Sequence, residues 1–291
     1  MSQKASHSEI VDKLIEDSKG ALLRGSDKSL QYQRIPFNIP QLDALVGGGI
    51  PKKRITIFTG PPNAGKSYLA SQVAKNVQQS GGNVAWIDTE LSWDSQWMTK
   101  CGLVVDKVVL SQPETGEAAL DVIKILMQNG IDLIVLDSIA GLTPTVIQEE
   151  DFSYNPVAWP ARMINQMFPR LMPSLKFGSA FLVINQLREG LGPVEDTMPG
   201  GIAQKFFAHF ILHIRRAGWI EEEKKKVGFD IEIRCKKSKA GGLPFQSCTL
   251  PFRLDGGLDI LESLLREAIA LGHIKQTMAW YKFGEEKVMG I

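Results

Sequence analysis

The chain has 291 residues, 44% of them hydrophobic and 22% charged, with a formal net charge of +1. That is enough apolar surface for one large domain, and it excludes a polycation, so any nucleic-acid surface must be local. Three cysteines, Cys101, Cys235 and Cys248, make no CxxC pair and are odd in number; with no apolar run of membrane-span length, they predict a soluble protein of a reducing cytoplasm.

Residues 8–20 read as a short amphipathic helix with Ile10, Leu14 and Ile15 on one face, and a polar connector follows to about Ile35. From "RITIFTG" onward, β-rich apolar runs alternate with helical patterns. Strands are predicted at 55–59, 84–88, 107–110, 132–137 and 180–185, and helices near 66–79, 93–100, 115–128, 158–176 and 200–208. Gly130 closes the helix of "GEAALDVIKILMQNG". The alternation predicts an α/β fold with a mostly parallel sheet flanked by helices. After 210, "FILHIRR", "GFDIEIRC" and "FQSCTLPFRL" predict antiparallel strands extending that sheet, with "EEEKKK" a solvated turn between two of them. A last helix, "LDILESLLREAIALG", precedes a small hairpin in "AWYKFGEEKVMGI".

The chemistry gathers at strand ends. "GPPNAGKS", Gly60, Pro61, Pro62, Asn63, Ala64, Gly65, Lys66 and Ser67, matches the phosphate-loop pattern between an apolar strand and a helix, and Tyr68, next along that helix, is counted with these residues as nucleotide-binding. Its glycines let backbone N–H groups close around phosphate oxygens at a helix N-terminus. Lys66 bridges the β- and γ-phosphates of ATP and the Ser67 hydroxyl ligates Mg²⁺. "DLIVLDS" ends on Asp137, a weak signal alone and a strong one beside a phosphate loop, where it serves the metal. Glu90 follows a third strand, "NVAWIDTE", and either activates water or is a helix-start acid. A fourth strand, "AFLVINQ", ends on Gln186, a neutral amide able to reach the γ-phosphate without changing the site's charge. The loop behind it is too rich in Gly and Pro to order itself. The phosphate-loop side has one lysine and no arginine finger of its own. Read alone, Trp93 and Trp97 are helix packing and "CKKSKAGGLPF" is a solvated basic turn.

Other stretches are more specific. "SQPETGEAALDVIKIL", "LIVLDSIAGLTP", "ARMINQM", "LVINQLR", "GGIAQKFFAHFILHIRR" and "AWYKFGEEKVMG" occur in this order and resemble the bacterial RecA recombinases over roughly residues 30–290. The resemblance implies a RecA-type P-loop ATPase core (35–257), a short N-terminal helical segment and linker (1–34), and a reduced, truncated C-terminal helix and hairpin (258–291). It implies a filament on single-stranded DNA that uses ATP and Mg²⁺ for homologous pairing with duplex DNA. Position by position, Glu90 activates water, Asp94 and Trp97 contact adenine, and Gln186 couples the γ-phosphate to the second DNA loop. Lys237 and Lys239 reach the neighbouring subunit's ATP, and Phe206 lies at the same interface. Val157, Arg162, Arg170, Arg188, Leu191, Gly200 and Gly201 match DNA-binding positions. Within this pattern the second loop is shorter and more acidic than usual, with Glu189 and Gly190 where an apolar and a basic residue are common. That departure motivates an alternative, a relative that regulates another recombinase without exchanging strands itself.

Overall fold

The computed structural model describes residues 6–146, 159–187, 203–239 and 241–289. The chain divides into two units, Met1–Gln33 and Arg34–Ile291. In the first, helix α1 (His7–Asp17) opens on a capping box. The Ser6 side chain accepts from Glu9 N, and the Glu9 carboxylate accepts from Ser6 N at 2.6 Å. It stops short of residue 20 because Lys19 and Gly20 turn left-handed, at φ of 48° and 87°.

The second unit starts with a two-stranded ribbon, β1 (Arg34–Ile35) and β2 (Ile50–Pro51), around helix α2 (Pro40–Val46). Then come β3 (Ile55–Gly60), α3 (Lys66–Gln79), β4 (Val84–Asp88), α4 (Ser95–Lys100), β5 (Val108–Ser111), α5 (Gly116–Gln128) and β6 (Leu133–Asp137). Helix α6 (Trp159–Leu171), strand β7 (Ala180–Gln186) and helix α7 (Ala203–Phe207) follow. Strands β8 (Phe210–Glu222), β9 (Lys225–Ser238), β10 (Ser247–Arg253) and β11 (Gly257–Leu258) lead to helix α8 (Ile260–Ala270). Nine strands share one sheet in the order β11-β10-β9-β8-β3-β7-β6-β4-β5. From β8 to β5 neighbours are parallel; β9, β10 and β11 extend the sheet antiparallel.

Alternation along the central strands feeds two cores. Phe58, Leu182 and Ile184 pack with α2 and α3 residues such as Leu42, Leu69 and Val73. Ile57, Phe181 and Val183 face the other way, onto Ile123 of α5 and Met167 and Phe168 of α6. Because β3 sits mid-sheet, its C-terminal loop opens at the sheet rim together with those of β7, β6 and β4, where open α/β sheets bind ligands.

Every central strand lies within a residue of its expected span, and the differences at helices have local causes. Helix α4 starts at Ser95 because the Asp94 carboxylate caps it, accepting from Gln96 N and Trp97 N. Helix α6 gives way after Leu171 to a 3₁₀ turn, Met172–Phe177, with Pro173 near its start; the proline lacks the N–H that would continue the α-helix. Gly130 follows α5 at φ 76° as expected. The "EEEKKK" run is the tip of the β8–β9 hairpin and is exposed throughout. The C-terminal hairpin is a three-stranded sheet, β12 (Lys275–Thr277), β13 (Trp280–Phe283) and β14 (Glu286–Met289).

Candidate nucleotide site

Gly60, at the end of β3, sits so close to β8 that a Cβ there would lie 1.9 Å from the Ile214 carbonyl oxygen. Only glycine permits that approach, and it lets the loop turn over the sheet rim. Gly65 adopts φ 92° immediately before α3, so the helix N-terminus faces the turn. The loop rims a cavity of about 420 Å³ whose lining includes residues 62–68 together with Glu90, Asp137 and Gln186.

Lys66 is 6% exposed, and its ammonium donates to Gly60 O at 3.0 Å and Pro61 O at 2.6 Å. Burial pushes it below the usual lysine range, against the pull of Asp137 and Glu90. Asp137 is equally buried at the end of β6. Its carboxyl is pushed up to about 6, by burial first and by the Glu90 and Asp88 charges as well, while a Ser67 hydrogen bond pulls it down. A hydroxyl and a carboxylate thus meet at the start of α3. Such hard oxygens fit Mg²⁺, which takes few protein ligands and completes its shell with phosphate and water.

Glu90 is held from two sides. Ser138 Oγ donates to its Oε1, and Gln186 Nε2 reaches both oxygens, at 2.8 and 3.0 Å. The backbone leading to Glu90 is tied down by buried Asp88. That carboxylate accepts from Glu90 N, from Ser92 N at 3.1 Å and Trp93 N at 2.9 Å, and from Gln112 Nε2 at 2.9 Å. Gln186 lies directly across from Gly60 in the β3–β7 register, which carries its amide to the loop.

The remaining expected residues divide. Trp97, 44% exposed, and Tyr68 line the cavity; the Tyr68 hydroxyl also accepts from Leu258 N at 3.0 Å. Asp94 caps α4 and is absent from the lining. Lys237, Lys239 and Phe206 lie away from the cavity in a cluster of their own. Both ammonium groups donate to the Phe206 carbonyl, Lys239 at 3.0 Å, and Lys237 also to Lys205 O, while the Phe206 ring is 64% exposed. Burial, and then the Lys239 charge beside it, push Lys237 down to about 8. Arg162 and Arg170 project from the exposed side of α6, Arg170 donating to Gln166 at 3.2 Å. Val157, Arg188, Leu191, Gly200 and Gly201 lie outside the described residues.

Sequence reading missed Asp88, Ser138, Phe229, Phe252 and Arg216. Asp88 had a signal, a strand-final acid beside "TE". Arg216 had none: it joins the lining from β8, donating through Nη2 to Asn63 O at 3.2 Å.

A family model for the RecA N-terminal domain matches residues 8–259. The chain is 34% identical over 281 residues to Protein RecA of Thermus aquaticus, covering 94% of this chain and 82% of that one. It is 35% identical over 279 residues to Protein RecA of Acholeplasma laidlawii strain PG-8A, covering 93% and 83%. For Protein RecA of Chlorobaculum tepidum the figures are 33% over 278 residues, 93% and 80%.

Proposed function

The chain belongs to the RecA family, and from that premise we propose that it is a DNA-dependent ATPase that assembles on single-stranded DNA and exchanges homologous strands. The observation that carries the reading is the joint hold of Ser138 and Gln186 on Glu90, within one cavity with Lys66 and Asp137. A carboxylate fixed there orients water toward the γ-phosphate, while Lys66 and the loop N–H groups offset the charge that develops on it. Ser67 and Asp137 would hold Mg²⁺, which when bound neutralises β- and γ-phosphate oxygens. Trp97 and Tyr68 offer aromatic surface to the base.

Lys237, Lys239 and Phe206 act in trans: cations remote from their own chain's cavity supply a neighbour's γ-phosphate, so ATP is shared across a subunit interface. DNA contact is supported by the exposed Arg162 and Arg170 and by a row of lysines on the C-terminal sheet. Lys275 pairs with Lys282, and Lys282 with Lys287, directly across three strands. Like charges so placed repel and are relieved by a phosphate backbone.

The test combines hydrolysis with complementation. Wild type should hydrolyse ATP faster with single-stranded DNA, form extended filaments and exchange strands unaided, and Lys66→Ala should do none of these. Filaments without strand exchange would favour the regulatory alternative. Lys237→Ala with Lys239→Ala should lose DNA-stimulated hydrolysis and regain part of it when mixed with Glu90→Gln protein, since some interfaces then pair intact halves. No recovery at any ratio would remove the trans assignment.

A further inference from the structure

Arg215 and Arg216 are consecutive on β8 and have different partners. Arg215 stands opposite Glu232 of β9 and forms an ion pair with it. Between Arg216 and Gly218 the β8–β9 register shifts, and a bulge of this kind re-aims the side chains beside it. Among the described residues Arg216 has no carboxylate partner. Its guanidinium carbon instead stands 4.8 Å from the centre of the Trp219 ring and 4.6 Å from that of Phe229. Those two rings meet edge to face. Contact with two ring faces is attractive in itself and fixes the plane of the fork.

The charge balance of the cavity gives that position a purpose. Among the described lining residues the cations are Lys66 and Arg216 and the carboxylates are Glu90 and Asp137. A nucleoside triphosphate adds several negative charges, of which Mg²⁺ offsets two. Within a single subunit, before a neighbour's Lys237 and Lys239 arrive, Lys66 alone leaves the occupied site strongly anionic, whereas a guanidinium matches phosphate oxygens in geometry as well as sign. The bond to Asn63 O uses one of its five N–H donors.

We propose that Arg216 is a phosphate-binding residue supplied in cis, seated on Trp219 and Phe229 beside the phosphate loop and pairing with the terminal phosphate of the bound triphosphate. The inference rests on the nucleotide-site reading above and adds to it a second cation from the same chain. If Arg216 only braced Asn63, whose φ of 56° is unusual for a residue other than glycine, its loss would disturb all nucleotides alike.

Binding without DNA separates these cases. Wild type, Arg216→Gln, Arg216→Lys and Lys66→Ala are titrated with a non-hydrolysable ATP analogue, ADP and AMP in the presence of Mg²⁺. Arg216→Gln should weaken the triphosphate about tenfold or more, ADP less, and AMP not at all. Arg216→Lys should recover part of the triphosphate affinity, because the charge remains while the fork is lost. Trp219→Leu, which unseats the guanidinium from one ring, should reproduce a smaller form of the same selective loss. Equal weakening of all three nucleotides, or none, overturns the proposal. Lys66→Ala binding the triphosphate as wild type does would overturn the phosphate-loop reading beneath it, and this proposal with it.

Discussion

Gln186 Nε2 donates to both carboxylate oxygens of Glu90, at 2.8 and 3.0 Å, joining the end of β7 to the loop that follows β4. The amide proposed to read the γ-phosphate therefore already grips the group proposed to orient the attacking water. An amide that turns toward phosphate must loosen that grip, so under the proposed roles nucleotide sensing and water activation would share one side chain.

Glu90→Gln should bind ATP as tightly as wild type or more so, since it removes an anion from beside the phosphates. Its hydrolysis should fall about 10²–10⁴-fold, the usual contribution of a positioned base. Single-turnover hydrolysis with DNA present measures this directly. Turnover near the wild-type rate would make Glu90 a structural acid held by Ser138.

Gln186→Ala should lose the link between nucleotide and DNA. The amide exchanges one anionic acceptor, the Glu90 carboxylate, for another, the phosphate. Such an exchange contributes on the order of 1 kcal/mol net, roughly a fivefold difference in DNA affinity per site between ADP and a non-hydrolysable ATP analogue. By reciprocity DNA tightens ATP binding by the same factor. Wild type should discriminate the two nucleotides in a DNA-binding titration and the variant should not. Equal discrimination by both would leave Gln186 a strand-capping amide.

The elements legible in sequence are those whose signal is local. The phosphate loop announces itself in eight consecutive residues, and Asp137 and Gln186 follow because apolar parallel strands end on one rim. Contacts between distant segments were not legible. Ser138 meets Glu90 across 48 positions, and Arg216 meets Asn63 across 153 by way of a register shift that no composition reveals. Strand β12 was missed because "KQT" has no apolar alternation, its pairing being dictated by Trp280 to Lys282 alongside.

Assembly should weaken as pH rises through 8. In the free subunit Lys237 is pushed down to about 8 by burial and by Lys239, whereas a neighbour's phosphate requires the ammonium form. Forming the interface above pH 8 therefore takes up a proton, and affinity should fall about tenfold per interface by pH 9 while staying flat below pH 7. Folding has the opposite sign. The folded state binds fewer protons than the unfolded state between pH 8 and 10.5, so this group's contribution to stability grows over that range. Light scattering of ATP-dependent assembly from pH 6.5 to 9 reads the first effect and urea unfolding the second. Lys237→Arg, which stays charged, should flatten the assembly profile; an unchanged slope would detach Lys237 from the interface.

Consecutive side chains on a strand point to opposite faces, so β7 ends by sending Gln186 to the nucleotide cavity and Asn185 to the other side. There Asn185 Nδ2 donates to Gln204 Oε1 at 2.7 Å, both residues fully buried. Gln204 belongs to α7, whose last turn presents the Phe206 ring and the carbonyls that hold Lys237 and Lys239. One strand end thus carries Gln186 on one face and bonds to α7, the helix of Phe206, on the other. Gln204→Leu removes an acceptor from a buried amide and should cost about 1–3 kcal/mol of stability in urea unfolding. Asn185→Leu with Gln204→Leu should recover part of that loss, because the Asn185 Nδ2 donor is removed together with its Gln204 acceptor. If the buried pair also seats α7, Gln204→Leu should raise the protein concentration needed for filament assembly while leaving ATP affinity of the isolated subunit as in wild type. Assembly at the wild-type concentration, in a variant that is measurably less stable, would confine the pair to packing and leave Phe206 positioned by other means.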